Sequence, residues 1–190
     1  SEMCIRDRSD GEDVTADDVI FPYEIIGNKD YTGIRYDDKF RNIVGMEEYH
    51  DGSADTISGI KKIDDKTVEI EYKEVNPSML QSGGGIWSYA APKHTLEGVA
   101  IKDMESSDQV RKNPVTFGPY YMSNIVAGES VEYLPNEHYW NGTPKLKKIT
   151  MKSVPIASAT EALNSKLYDM IFQMPTDTYD CLLYTSDAAD

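Results

Sequence analysis

Cysteine is almost missing from this chain of 190 residues, and the two present, Cys4 and Cys181, both stand near the ends. A cysteine-free interior fits an exported bacterial protein and equally a cytosolic one. No apolar run approaches the ~20 residues that a membrane-spanning helix needs. Basic residues are scarce: 19 Lys and Arg face 33 Asp and Glu, for a net charge of −14. That balance argues against a nucleic-acid or anionic-lipid partner, because both demand a basic patch and none stands out. Only three histidines occur, His50, His94 and His138, and they lack the spacing of a zinc motif, so hydrogen bonding is their simplest role. There is no Ser elbow, no phosphate loop and no dinucleotide fingerprint. Gly83-Gly84-Gly85 lacks the Lys-Ser/Thr of a phosphate loop and reads as a hinge or turn. Carboxylates such as Glu47-Glu48 are abundant by default in so acidic a chain. They leave a secreted acidic hydrolase with a carboxylate pair as an alternative but single out no catalytic residue.

What is present suffices for a core: 39% of residues are hydrophobic, enough for one domain or a piece of a larger one. The two ends carry an unusual relation. Met3–Asp7 can be encoded ATG TGT ATA AGA GAC and continued with AG; the reverse complement, read from its second base, encodes Cys-Leu-Leu-Tyr-Thr, the sequence at Cys181–Thr185. The repeat resembles the transposase mosaic end used in preparing sequencing libraries. Residues 1–8 and 181–190 are therefore expected to be adapter-derived and are set aside from fold reasoning. These ends hold two basic and four acidic residues, which leaves 17 and 29 in Ser9–Asp180, the expected fragment of the original protein.

Along that fragment, Thr15 with Asp18 reads as a helix start, and Val19, Ile20, Tyr23 and Ile26 fall on one helical face. Pro22 predicts a kink or an early stop. Lys39–His50 reads as one or two short helices broken near Gly45. Gly59–Ile63 and Thr67–Lys73 predict an antiparallel hairpin with Val68, Ile70 and Tyr72 on one face. One helical turn is expected over Asn76–Gln81 and a short helix within Leu96–Lys112, ending before Pro114. Strands follow at Tyr120–Val126, Ser130–Leu134 and Leu146–Val154, then a helix over Ser158–Leu167 and the start of a strand at Asp169–Gln173. This is a mixed α/β pattern without regular βαβ alternation. Thirteen Tyr, two Trp and four Phe are spread through loops and strand ends. Rings with polar tips suit reversible capture of small ligands, although most are expected to pack the core.

The order of motifs resembles family 5 of the bacterial extracellular solute-binding proteins, which serve ABC importers of oligopeptides and dipeptides. The resemblance rests on Asp10-Gly11 with Val14–Val19, Gly45–Tyr49 with Gly52, Ala91–His94, Arg111–Val115 with Gly118-Pro119-Tyr120, Asn136–Lys145, and Glu161–Leu163 with Tyr168-Asp169. Pro22, Thr116-Phe117 and Lys166 depart from the family pattern, Lys166 standing where a glycine is usual. The resemblance implies a partial periplasmic-binding-protein fold of type II, covering part of lobe I with its extra subdomain (about 27–112) and hinge-side strands and helix (113–180). It further implies a monomer that binds peptide without chemistry or cofactor and delivers it to a membrane permease. The location would be the periplasm, or the outer face of the cell membrane through a lipid anchor that lies outside this fragment. Nickel, haem or an oligosaccharide is the alternative cargo. Trp87, Tyr89, Thr116 and Phe117, all at chain reversals beside glycines, are the expected ligand-facing residues.

Overall fold

In a computed structural model of the chain, residues 8–80, 89–155, 158, 161–162 and 165–172 are described. They divide into two compact units. One comprises Ser1–Ile125 with Glu132–Ile149, the other Val126–Val131 with Thr150–Asp190.

Helix α1 (Ala16–Gly27) organises the first unit. Thr15 precedes it in extended geometry, and the Asp18 carboxylate reaches back to accept from the Thr15 N–H at 2.9 Å and its hydroxyl at 3.3 Å. That contact satisfies an orphan donor, and Asp17 and Asp18 complement the positive end of the helix dipole. Pro22 does not stop the helix. A proline removes the bond to the carbonyl four residues earlier, here that of Asp18, and the Ala91 N–H takes up this carbonyl at 2.9 Å. A distant segment thus replaces the missing rung.

The helix is also buried on more sides than its sequence suggests. Tyr23 and Ile26 enter a core with Phe40, Ile43, Met46 and Ile57. Phe21 enters a second cluster with Leu96 and Met104. Val19 and Ile20, expected on the apolar face, are only half-buried. Five tyrosines, Tyr23, Tyr31, Tyr36, Tyr49 and Tyr72, belong to the first core or pack against it. These rings serve as packing.

Around α1, helices α2 (Asp38–Arg41) and α3 (Met46–Asp51) are separated at Gly45. Its φ of +76° and the Ser58 side chain pressed against its Cα leave no room for a side chain. Strands β1 (Ile60–Asp64) and β2 (Thr67–Ile70) form the antiparallel hairpin, with Ile60 opposite Ile70 and Lys62 opposite Val68. The register slips between Lys62 and Asp64, so Ile63 bulges out and is 58% exposed. Val68, Ile70 and Tyr72 are half-buried, as their alternation predicts. The hairpin tip docks on the start of α1, where the Ala16 N–H donates to the Asp65 carbonyl at 2.8 Å.

A 3-10 turn (Pro77–Leu80) follows. Helix α4 (Lys93–Leu96) precedes the range Leu96–Lys112, where the single expected helix is instead two short ones, α5 (Ile101–Met104) and α6 (Asp108–Arg111). Gly98 lies in the break before α5, and in the break after it the Ser106 and Ser107 hydroxyls bond back to the carbonyls of Asp103 and Met104. Strands β3 (Tyr120–Val126), β4 (Ser130–Pro135) and β5 (Ile149–Lys152) form a sheet in that order. The last is shorter than Leu146–Val154, because the Leu146 N–H turns to the Tyr120 hydroxyl at 3.1 Å.

Of the expected helix over Ser158–Leu167, the described residues 158, 161 and 162 are helical, and the rest lie outside the description or in its final turn. The Leu167 N–H closes that turn onto the Ala162 carbonyl at 2.9 Å, with Lys166 left-handed at φ +56°. Residues 169–172 are not a strand, and Gln173 lies outside the description. Among the described residues no helix is long and apolar enough to cross a membrane.

Candidate functional site

Four of the six motif segments meet around the start of α1 and the residues just before it. Asp18 is 4% exposed. Besides bonding Thr15, its carboxylate accepts the Lys93 N–H at 3.0 Å and lies 3.0 Å from Nη1 of Arg8. Arg8 is itself buried and lies 3.6 Å from Asp10. Its Nε and Nη1 are aligned with no acceptor, so the pairing is ionic rather than a directed fork. The other Asp10 oxygen meets His94 Nε2 at 2.9 Å. A Cβ on Gly11 would lie 3.5 Å from the His138 ring. Asn136, 1% exposed, donates to the Gly118 carbonyl at 3.0 Å, accepts from the His138 N–H at 3.0 Å, and donates its own N–H to Pro119.

These contacts lie within or between the motif segments, except those of Arg8, which belongs to the segment 1–8 read as adapter-derived. Residues with charge or amide groups that suggest ligand recognition are occupied by the protein itself, as buried polar groups must be. The sequence pointed to these positions through the motifs, but not to their burial.

Of the four expected ligand-facing residues, Trp87 lies outside the described residues. Tyr89 is 63% exposed and leads into Ala91 and Lys93, which are bonded to Asp18. Thr116 is half-buried and engaged: the Ser9 N–H donates to its carbonyl at 2.7 Å, its own N–H donates to the Ser9 hydroxyl, and its hydroxyl donates to the Tyr120 carbonyl. Phe117 is 41% exposed. Tyr89, through Ala91 and Lys93, and Thr116, directly, are thus tethered to two points of the segment 8–18. An open polar depression of about 1000 Å³ between that segment and α4 has neither of them in its wall.

Several other charged groups also serve contacts within the chain. Lys62 bridges Asp17 at 2.7 Å and Asp65 at 2.8 Å, pinning the hairpin to α1. Its hydrogen bonds to Asp17 and Asp65 hold the ammonium pKa above the ordinary lysine range and depress that of Asp65. A hydrogen bond from Lys73 likewise lowers the Glu47 carboxyl. His50 Nδ1 lies 3.0 Å from the Gly27 carbonyl, and its ring stacks on Tyr36. Burial raises the Tyr36 phenol despite the opposing charge of Arg41. Among the described residues no group of three His, Cys, Asp or Glu is placed to hold a metal ion.

Comparison with known proteins gives this scaffold its kin. The profile described as "Bacterial extracellular solute-binding proteins, family 5 Middle" matches residues 9–185. The chain belongs to this family. Among curated family members it is 43% identical over 175 residues to the oligopeptide-binding protein OppA of Lactococcus lactis subsp. lactis, a match covering 90% of this chain and 29% of that protein. The solved structure of lactococcal OppA, complexed with an endogenous peptide in the closed conformation, superposes with a TM-score of 0.88 at 41% identity over 92% of this chain and 33% of that one. The Bacillus subtilis oligopeptide-binding protein AppA, solved with a nonapeptide, gives 0.75 at 25% identity, covering 93% and 32%. The fold is therefore a partial type II periplasmic-binding-protein fold of mixed helices and sheets. The chain spans about a third of the length of the family members it matches.

Proposed function

We propose that this chain is part of a receptor that captures oligopeptides outside the cytoplasm and delivers them to an ABC permease. The observation that supports it most strongly is the TM-score of 0.88 at 41% identity, over 92% of the chain, with a lactococcal protein that holds a peptide. Binding without chemistry fits that kinship: two lobes close on an extended peptide and satisfy its backbone, while side chains occupy roomier pockets. The whole receptor acts as a monomer and needs no cofactor. In this reading residues 27–112 form the extra subdomain and 113–180 the hinge-side strands and helix. The terminal segments 1–8 and 181–190 are adapter-derived. Trp87, Tyr89, Thr116 and Phe117 face the ligand side.

The test is thermal unfolding of the full-length receptor with mixed oligopeptides, nickel-histidine, haem or oligosaccharides added in turn. Stabilisation by peptides at a hundredfold excess over the dissociation constant amounts to about 2.7 kcal/mol. Stabilisation by another cargo alone overturns the peptide reading, and peptide turnover overturns binding without chemistry. Alanine at Tyr89 or Phe117 weakens peptide binding if these rings touch ligand.

A further inference from the structure

The net charge of −14 hides a local reversal. Between Glu137 and Glu161 the chain carries no acidic residue and four lysines, Lys145, Lys147, Lys148 and Lys152. The loop from β4 to β5 holds the first three of them, with Glu137 exposed at its start. Trp140 and Leu146 are each 58% exposed there, and Lys145 and Lys147 are exposed beside Leu146. Lys148 is paired with Glu132, whereas neither Lys145 nor Lys147 has an ion-pair partner among the described residues.

The loop is held in shape from within. Asn136 anchors its start, the Gly142 N–H closes a turn onto the Tyr139 carbonyl at 3.1 Å, and the Leu146 N–H is held by Tyr120. Its exposed groups are consequently presented at little ordering cost.

We infer that this loop is a peripheral docking surface for an anionic lipid bilayer, with Trp140 and Leu146 entering the interface and Lys145 and Lys147 meeting headgroup phosphates. Tryptophan prefers the interfacial zone, where its ring is half-solvated, and a leucine beside it adds apolar area. Lysine is attracted to anionic headgroups only within a Debye length, about 8 Å in physiological salt. A two-lysine patch therefore acts locally, while the acidic remainder of the chain is screened. A bare acidic protein surface would match the lysines but would leave Trp140 and Leu146 uncovered, which favours the bilayer. The inference is independent of which cargo is captured.

The experiment uses the 190-residue chain carrying Trp87→Phe, so that Trp140 is its only tryptophan. It is mixed with vesicles of phosphatidylcholine alone or with phosphatidylglycerol, and partition is followed by cosedimentation and tryptophan emission. The expected result is a blue shift and binding confined to the phosphatidylglycerol vesicles and weakened by salt. Each lysine contributes on the order of fivefold in partition, so Lys145→Glu with Lys147→Glu lowers it by more than about tenfold, with circular dichroism unchanged. Trp140→Ala lowers it independently. Absence of binding, equal binding to neutral vesicles, or insensitivity to both sets of substitutions overturns the proposal. So does protection of Trp140 from an aqueous quencher in the full-length receptor without vesicles, since the patch would then be covered by the rest of the protein.

Discussion

The surroundings of α1 and the sheet β3-β4-β5 are built on different principles. The buried hydrophobic residues run from Ala16 to Met104, and the described remainder adds only Ala162. No residue of the three strands is buried; β4 is half-buried throughout, β3 is half-buried over its first three residues and mostly exposed beyond them, and β5 is exposed after Ile149. The first region excludes water with its own side chains, whereas the second is ordered by strand pairing, turns and one buried amide, Asn136. A sheet without a packed face contributes little hydrophobic stabilisation. The family members matched are about three times longer than this chain.

Asp18→Ala is expected to break this contrast most strongly. It removes the reciprocal contact to Thr15, the acceptor for Lys93 and the counter-charge of Arg8 together. Losing one member of a buried pair costs about 3–5 kcal/mol, a large share of a domain's stability. Thermal unfolding should show the melting temperature falling sharply. Asp18→Asn, which keeps the acceptor oxygen, should recover part of the loss. If stability is unchanged, the cluster is not what holds the first region together.

Asn136→Ala tests the second region and ranks next. Two side-chain hydrogen bonds in a fully buried position are lost, leaving the Gly118 carbonyl and the His138 N–H unmatched. The expected cost is about 2 kcal/mol. Amide hydrogen exchange should place the damage in β3 and β4 while α1 stays protected. Uniform loss of protection would mean that the two regions unfold as one, and the contrast would fail.

The sequence exposed these two regions unequally. The Thr15–Asp18 helix start, the break at Gly45 and the alternation of Val68, Ile70 and Tyr72 are local signals, and local physics formed those elements as expected. The bulge at Ile63 and the division of Leu96–Lys112 into two helices escaped because each turns on competition between weak local preferences. Asp18, Asn136 and His94 were visible as motif letters, yet what they bind is decided by chain segments far apart in sequence. The candidate ligand-facing residues were harder still. The motifs that identify the family mostly maintain its scaffold, and Thr116, chosen for its place before a Gly-Pro turn, has its backbone engaged by Ser9.

Lys166→Gly should shift stability in the opposite direction. Lysine holds a left-handed conformation at φ +56° where the family pattern has glycine, so the backbone geometry persists without the residue that suits it. Relieving that strain should stabilise the helix end by about 1 kcal/mol. Glycine's greater freedom in the unfolded chain offsets part of the gain. A small rise in melting temperature, with Lys166→Ala giving none, would support this reading.

Pro22→Ala should have the smallest effect and reveals the most about the first region. A proline inside a helix ordinarily costs about 3 kcal/mol, through a lost hydrogen bond and a clash with the carbonyl four residues back. That carbonyl belongs to Asp18 and is bonded to the Ala91 N–H, so the lost bond has a substitute. Alanine restores a helical donor, but the donor meets an acceptor already in use, and the buried ring's packing is lost. Proline's restriction of the unfolded chain disappears as well. These opposing changes should keep the net effect within about 1 kcal/mol. The local effect should be clearer than the global one: with two donors competing for one carbonyl, exchange of the Ala91 amide should accelerate while the α1 amides stay protected. If Ala91 exchange is unaltered and the protein is stabilised by the full helical amount, the bond from Ala91 is incidental, and proline is a plain defect in α1 rather than a device that ties the Ala91–His94 segment to it.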